Sequence, residues 1–149
     1  MGGVQDGETV VHHRPPPGFD VQDALDELFD WLGRCKVKGS GAKDTWTHPV
    51  LVAGMLQHRL VWIHPFVDGN GRTARMFTTA LLYQRGYDYK YLFDLASYYN
   101  ANRDKYSAKL RTADRTGDYT EWLEYFAGGL ALQMYKVEQK AKKAAGWST

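Results

Sequence analysis

The chain has 149 residues, of which 44% are hydrophobic and 24% charged, a length and composition that suit one globular domain with its own core. With 19 basic against 17 acidic residues the net charge is only +2, so there is no overall positive field for nucleic acid, and a nucleic-acid partner is not expected. No apolar run reaches the length of a membrane span, and the first residues do not form a secretory leader. The single cysteine, Cys35, excludes an internal disulfide. We therefore expect a soluble, cytoplasmic protein without a membrane partner.

The first predicted element is a short β-hairpin over residues 4–13. Asp6 and Gly7 are a strong signal for a two-residue turn, because both positions tolerate positive φ. A hairpin is marginally stable by itself, so this one needs another part of the protein to pack against.

Beyond the hairpin, apolar residues recur with a helical period. Asp20 is predicted to cap the first helix and Thr47 the second, which is apolar around most of its circumference and is therefore expected to be the buried central helix. Within it, His58 is interpreted as a hydrogen-bonded structural residue. The fold class is thus all-α with a small β-hairpin. The later helices are predicted over residues 48–63, 72–85, 91–113 with a break near 100–102, and from Thr120 towards Lys143.

The stretch from residue 63 to residue 75, IHPFVDGNGRTAR, has the features of an anion site. Gly69 and Gly71 lack a Cβ, so the loop that contains them can turn tightly and present backbone N–H groups where the next helix begins. Arg72 and Arg75 lie in the first helical turn, where cations oppose the helix dipole at a cost of roughly 0.3 kcal/mol or more. A strongly anionic ligand such as a polyphosphate would reverse that effect.

Two further side chains in this stretch can take part in chemistry. Asp68 supplies one carboxylate beside the anion site, and Mg²⁺ is typically held by one or two carboxylates together with substrate phosphates. His64 ends the preceding helix, and a neutral imidazole can accept a proton from an incoming hydroxyl group. The stretch therefore predicts attack by a hydroxyl group on a Mg²⁺-bound nucleoside triphosphate.

Other motifs fail on spacing. A calcium loop that began at Asp68 would need a glutamate where Thr79 stands, and the phosphate-binding sequence G-x-x-x-x-G-K-[ST] is missing. His64 and Asp68 have no third side chain at zinc spacing.

Residues 64–75, HPFVDGNGRTAR, resemble the signature of the Fic (filamentation induced by cAMP) family, H-x-F-x-[DE]-G-N-G-R-x-x-R, at every defined position. The resemblance extends over roughly residues 4–133. It implies an all-α, Fic-type helical bundle with a small N-terminal β-hairpin, the flap, beside the active site. We expect residues 1–149 to be a single catalytic core cut from a longer chain.

Most members of the family with this signature are protein adenylyltransferases, which transfer AMP from ATP to a Ser, Thr or Tyr hydroxyl of a target protein and release pyrophosphate. By resemblance, His64 is the general base, Asp68 holds Mg²⁺ and Phe66 anchors the loop in the core. The other motif residues are implied to bind the nucleotide: Asn70 with the N–H groups of Gly69 and Gly71 at the α- and β-phosphates, and Arg72 and Arg75 at the β- and γ-phosphates.

The resemblance extends to the base and to the target. Tyr106 and Asp114 stand where family members contact the adenine, but Ser107 replaces a second tyrosine that many members have, so UTP or GTP stays open as the nucleotide. The hairpin 4–13 corresponds to the flap, to which a target segment adds as a further strand. The docking residues would be Val10, Val11 and His12, unless the hairpin is only a frayed end left by truncation.

Many members carry an inhibitory helix, [ST]-x-x-x-E-[GN], whose glutamate pairs with the second motif arginine. The nearest match here, Thr120 to Glu124, is followed by Tyr125, and Thr120 is better explained as a helix cap. We therefore expect Arg75 to be available for phosphate, with any inhibitory helix or antitoxin supplied upstream or in trans.

Three alternatives to adenylyl transfer remain. The phosphorylating branch of the family replaces Gly71 with lysine, and removal of AMP uses the inhibitory glutamate, so both fit this sequence less well. A non-catalytic nucleotide-binding module is the third alternative. The target protein is not predicted, and both a monomer and a homodimer fit.

Overall fold

The structure, a computed structural model, describes residues 20–35, 48–87 and 94–147. These ranges contain six helices and no strand, which confirms the all-α class for the described part of the chain. The predicted hairpin at residues 4–13 lies outside them. The helices are α1 (Val21–Arg34), α2 (Pro49–Ile63), α3 (Asn70–Gln84), α4 (Leu95–Ala101), α5 (Arg103–Thr116) and α6 (Thr120–Ala144).

Helix α2 lies at the centre of the bundle, as its sequence predicts. It packs against α1, α3 and α6, and residues on all its sides are buried. Helix α2 is therefore held on several sides by its neighbours. The motif loop begins directly after its last residue, Ile63. The buried apolar side chains of α2 are Val52, Ala53, Leu56, Leu60 and Ile63.

The crossing of α2 and α6 depends on a residue without a side chain. A Cβ built on Gly54 would lie 2.9 Å from side-chain carbons of both Leu123 and Phe126, so α6 approaches α2 more closely than a larger residue would allow. At the same point the indole Nε1 of Trp122 donates a hydrogen bond of 2.8 Å to the carbonyl oxygen of Gly54. This bond satisfies two polar groups that would otherwise be buried without partners.

The helix starts agree with the sequence in one case and differ in another. The side chain of Asp20 accepts hydrogen bonds from the N–H groups of Gln22 and Asp23, so the predicted cap of α1 is confirmed. Helix α2 is capped by His48 instead of Thr47, because Nδ1 of His48 accepts from the N–H of Val50 at 3.2 Å.

The last helix also starts differently from the prediction. Thr120 is the first residue of α6 and donates through its N–H and its hydroxyl to the carboxylate of Asp118. These bonds hold the pKa of Asp118 below its usual value. The N-cap of α6 is Tyr119, which makes no side-chain capping bond, so the capping role expected of Thr120 is wrong. The carboxylate of Asp118 accepts from the first N–H group of the helix instead. None of the helices in the described ranges has the length and hydropathy that crossing a membrane requires.

Candidate active site

His64 occupies a special backbone position at the end of α2. It has φ 53° and ψ 56°, and it is the one non-glycine residue with positive φ in the described ranges. Its N–H continues the helical ladder to the carbonyl oxygen of Leu60 at 3.2 Å. The imidazole is half-buried, and its Nδ1 is buried without a hydrogen-bond partner. The left-handed turn at His64 redirects the chain from α2 into the motif loop.

The loop is closed by the side chain of Asn70. Its Oδ1 accepts from the N–H of Phe66 at 2.9 Å, and its Nδ2 donates to the carbonyl oxygen of Phe66 at 2.7 Å. Asn70 is only 6% exposed, whereas the ring of Phe66 is 52% exposed. The expectation that Phe66 anchors the loop through its ring is therefore wrong. The backbone of Phe66 is anchored instead, because a buried amide can satisfy both of its polar groups at once.

Helix α3 begins at Asn70, two residues earlier than predicted, with Gly69 as its N-cap. Gly69 has φ 78°, a conformation that favours glycine, and no side chain caps the helix. The first-turn N–H groups belong to Asn70, Gly71 and Arg72, and they point away from the helix as in other anion sites. Asn70 thus contributes to this end of the helix through its backbone, since its side chain is engaged with Phe66.

Asp68 lies beside the start of α3 and is highly exposed. Its Oδ1 accepts from the N–H of Gly69 at 2.7 Å, and its Oδ2 lies 3.5 Å from Nη2 of Arg72. The Asp68 and Arg72 side chains are 84% and 73% exposed, and such a solvated pair contributes little to stability. Both side chains can therefore turn towards a ligand at small cost.

The two motif arginines lie over the two motif glycines. A Cβ built on Gly69 would lie 3.4 Å from Nη2 of Arg72, and one built on Gly71 would lie 3.1 Å from Nη1 of Arg75. The glycines thus leave room for the guanidinium groups beside the helix N-terminus. Within the described residues no carboxylate forms an ion pair with Arg75.

Tyr106 lies in α5 and packs against the aromatic core. Burial raises the pKa of the Tyr106 phenol, while the charge of Arg75 and a hydrogen bond with Gln57 act in the opposite direction. The ring of Tyr106 stacks on that of Tyr99, with ring centres 4.3 Å apart and planes 25° apart. The structure therefore makes Tyr106 part of the aromatic core.

Asp114 has a different partner. Its Oδ1 lies 3.1 Å from Nε2 of His58, and that ring is 1% exposed and packs edge-on against Tyr119 at 4.8 Å. His58 is therefore a structural residue, as its sequence position indicates. A role for Asp114 in binding adenine stays a prediction and would have to be compatible with this pair.

Sequence reasoning missed a buried polar pair, Gln57 and Tyr99, in the core behind the motif helices. Gln57 is completely buried, and its Nε2 donates a hydrogen bond of 2.8 Å to the hydroxyl of Tyr99. The available signal was a polar residue within an otherwise apolar stretch of α2.

The docking residues Val10, Val11 and His12 lie outside the described ranges.

A metal site here would rest on a single carboxylate. Among the residues described, no three His, Cys, Asp or Glu side chains lie together as possible metal ligands. The exposed carboxylate of Asp68 suits a hard cation such as Mg²⁺, which takes its other ligands from phosphate and water.

Comparison with known proteins places this geometry in a family. The protein adenylyltransferase Fic of Nematostella vectensis is 38% identical over 79 residues, which cover 52% of this chain and 17% of that protein. The protein of the same name from Drosophila willistoni is 37% identical over 78 residues, 52% of this chain and 14% of that protein. The matched segment thus spans less than a fifth of these relatives. Residues 2–82 match the Fic/DOC family. Because that match covers more than half of the chain and contains the whole motif loop, the chain belongs to the Fic/DOC family.

Proposed function

We propose that the chain is a protein adenylyltransferase, which transfers AMP from ATP to a hydroxyl side chain of a target protein and releases pyrophosphate. The observation that carries this proposal is the uncapped N-terminus of α3, which has Arg72 and Arg75 beside it and His64 across the motif loop. The relatives named protein adenylyltransferase Fic support it.

In the proposed reaction the target hydroxyl attacks the α-phosphorus of ATP. The bond between this phosphorus and the oxygen bridging to the β-phosphate breaks, and pyrophosphate leaves with that electron pair. His64 takes the hydroxyl proton. Its Nδ1 is buried, so Nε2 is the nitrogen that would reach the substrate. The positive φ at His64 supports this role, since strained backbone of this kind is concentrated at functional sites.

The phosphates would bind at the start of α3. The N–H groups of Gly69, Asn70 and Gly71 would contact the α- and β-phosphates, once the carboxylate of Asp68 has turned away from the N–H of Gly69. Arg72 and Arg75 would hold the β- and γ-phosphates, because guanidinium groups bind phosphate through paired hydrogen bonds.

Asp68 would hold Mg²⁺ with these phosphates, and the ion would neutralise charge on them. Tyr106 and Asp114 would contact the adenine. The assignment of Asp68 is supported by its exposed carboxylate, and those of Tyr106 and Asp114 rest on the resemblance to the family.

The partners and the cellular setting belong to the same proposal. The target would dock along a flap strand at Val10, Val11 and His12, presenting a Ser, Thr or Tyr hydroxyl. Regulation would come from an inhibitory helix or antitoxin that contests Arg75, supplied from elsewhere in the protein or in trans. The enzyme would act in the cytoplasm, as a monomer or a homodimer.

The test is transfer of a labelled nucleotide. The chain is incubated with Mg²⁺ and ATP labelled at the α-phosphate in a cell lysate, beside His64→Asn. Asparagine tolerates positive φ, so this variant removes the base while the loop backbone stays compatible with its fold. Covalent label that the variant loses supports adenylyl transfer.

Other outcomes separate the alternatives. Label that comes only from the γ-phosphate means phosphorylation, and stronger labelling from UTP or GTP means another nucleotide. Nucleotide binding without label from any of them would leave a binding module and contradict the proposal.

A further inference from the structure

Helix α6 extends well beyond the core of the bundle. Its buried residues all lie between Trp122 and Gln133, and none of those from Met134 to Ala144, all of them described, is buried. At a rise of about 1.5 Å per residue, residues 134–144 form a projecting segment roughly 16 Å long. A helix this short gains little stability by itself in water, so the projecting segment calls for a surface to pack against.

An apolar groove lies where the projecting segment leaves the core. It has a volume of about 410 Å³ and is formed between the start of α2 and the middle of α6. Leu51 lines the groove and is 41% exposed, although its side chain is large and apolar. Such a surface is more stable when another apolar surface covers it. Beside His48, the side chains that line the groove are Val50, Leu51, Ala127, Leu130, Ala131 and Met134.

The groove and part of the projecting segment share one side of α6. Ala131 lines the groove, and Glu138 and Lys142 follow it by two and three helical turns on the same side. Nζ of Lys142 lies 2.7 Å from Oε1 of Glu138, which keeps these two side chains together. Lys140 lies half a turn away, on the opposite side of the helix. A second helix placed in the groove would therefore run past Lys142 and away from Lys140.

The charges along α6 indicate which helix fits. Residues 120–132 contain Glu121 and Glu124 and no lysine or arginine, whereas residues 133–144 contain four lysines and one glutamate. Glu121 pairs with Lys109 at 3.0 Å, but Glu124 forms no ion pair within the described residues. Glu124 lies two turns before Ala131, on the groove side. The acidic half of α6 beside the groove thus complements the basic half of a second α6 that runs in the opposite direction.

We propose that this groove is the interface of a homodimer, in which the projecting segment of each copy lies antiparallel against α6 of the other and covers its groove. A two-fold axis near Gln133 serves both copies at once, because each contributes one groove and one segment to the same contact. Glu124 and Lys142 are equally far from Gln133 along the helix, so Lys142 of one copy approaches Glu124 of the other. The contact is small, and we expect a dissociation constant in the micromolar range. This inference does not depend on the proposed function.

The test is sedimentation velocity of the full chain across the micromolar range. Ala131→Arg places a long cation in the groove at an exposed position of α6 and should leave only monomer. Lys142→Glu and Glu124→Lys should each weaken the dimer roughly tenfold, because each replaces attraction by like-charge repulsion at two symmetric places. The double variant Glu124→Lys, Lys142→Glu should regain the wild-type dissociation constant. Lys140→Glu is the matched control, since it makes the same charge change away from the groove, and it should leave the dimer unchanged.

A wild-type chain that stays monomeric throughout this range would overturn the inference, and the groove would then belong to another segment or another protein. A dimer that persists in Ala131→Arg, or a double variant no tighter than the single ones, would place the contact elsewhere and overturn it too. Where circular dichroism shows that Lys142→Glu unwinds the projecting segment, Glu124→Lys decides alone, because Glu124 lies in the part of α6 that packs on the bundle.

Discussion

At the scale of single residues, the backbone conformation that directs the side chain of His64 lowers the stability of the fold. A non-glycine residue in the left-handed region costs roughly 1–2 kcal/mol, and the buried Nδ1 of His64 adds an unpaired polar atom. A glycine there would remove both costs, whereas alanine would keep the backbone strain.

The first prediction therefore compares His64→Gly with His64→Ala. We expect the glycine variant to be more stable than the alanine variant by roughly 1 kcal/mol, after its greater flexibility when unfolded is taken into account. Both should lose transfer of AMP. Urea denaturation measures the difference, and equal stability of the two variants would show that the turn at His64 is not strained.

Asn70 and Asp68 are both polar residues of the same loop, but their contributions differ because their exposures differ. Asn70→Ala would remove two partly buried hydrogen bonds, one to the N–H and one to the carbonyl oxygen of Phe66, at a cost of about 1–3 kcal/mol. Asp68→Ala removes only exposed contacts and should cost about 1 kcal/mol or less.

Thermal unfolding of these two variants is the second prediction. Asn70→Ala should melt several degrees below Asp68→Ala, since stability follows burial and not charge in this loop. Nucleotide binding should fall in both variants. A loop in which Asp68→Ala melts lower would mean that the ion pair with Arg72 holds it closed.

At the scale of the elements, two adjacent glycines of α6 give opposite predictions. A Cβ on Gly129 would overlap the ring of Tyr98, which packs against α6 from α4. A Cβ on Gly128 would meet nothing within 4 Å. Gly129→Ala should therefore destabilise the protein by about 1–3 kcal/mol through overpacking, and Gly128→Ala should stabilise it by about 0.5–1 kcal/mol through helix propensity.

Chemical denaturation of this pair tests the packing of α4 on α6. The two substitutions add the same methyl group to neighbouring positions of one helix, so differences in the unfolded chain cancel. A Gly129→Ala variant as stable as Gly128→Ala would mean that Tyr98 moves aside freely and that the contact is loose.

At the scale of the whole molecule, the described helices were largely predictable because they depend on short-range periodicity. The buried character of α2, the cap at Asp20 and the break near residue 102 all follow from neighbouring residues. The contacts between helices were not predictable in the same way. The pairing of His58 with Asp114 and that of Gln57 with Tyr99 depend on partners far away in the sequence.

The candidate site shows the same division. Its composition could be read directly, because the reactive side chains of residues 64–75 are contiguous in the sequence. The role of Asn70 could not, since its amide was assigned to the phosphate and instead holds the loop. The shape of the loop depends on which buried polar groups still need a hydrogen-bond partner after the helices have packed. Residue type alone does not show which groups those are.

The aromatic cluster around α4, α5 and α6 predicts how the whole molecule responds to alkaline pH. Burial raises the pKa of Tyr99 and Tyr106 above the ordinary value of 10.0, and it raises the pKa of Tyr125 to about 12. Between pH 10 and these higher values the unfolded chain loses protons that the folded protein keeps. The stabilisation of the fold by these neutral phenols is therefore complete below about pH 10, and it is lost as the pH rises from there towards the pKa values of the folded protein.

We expect the free energy of unfolding to be insensitive to these groups up to about pH 10 and then to fall, with Tyr99 alone contributing about 1.4 kcal/mol per pH unit. Tyr99→Phe should start from a lower stability at pH 8, because it loses the bond to Gln57, and should fall less steeply above pH 10. Urea denaturation at intervals from pH 8 to pH 11 measures both slopes. Parallel slopes for the wild type and the variant would mean that water reaches the Tyr99 phenol and that the cluster is not closed.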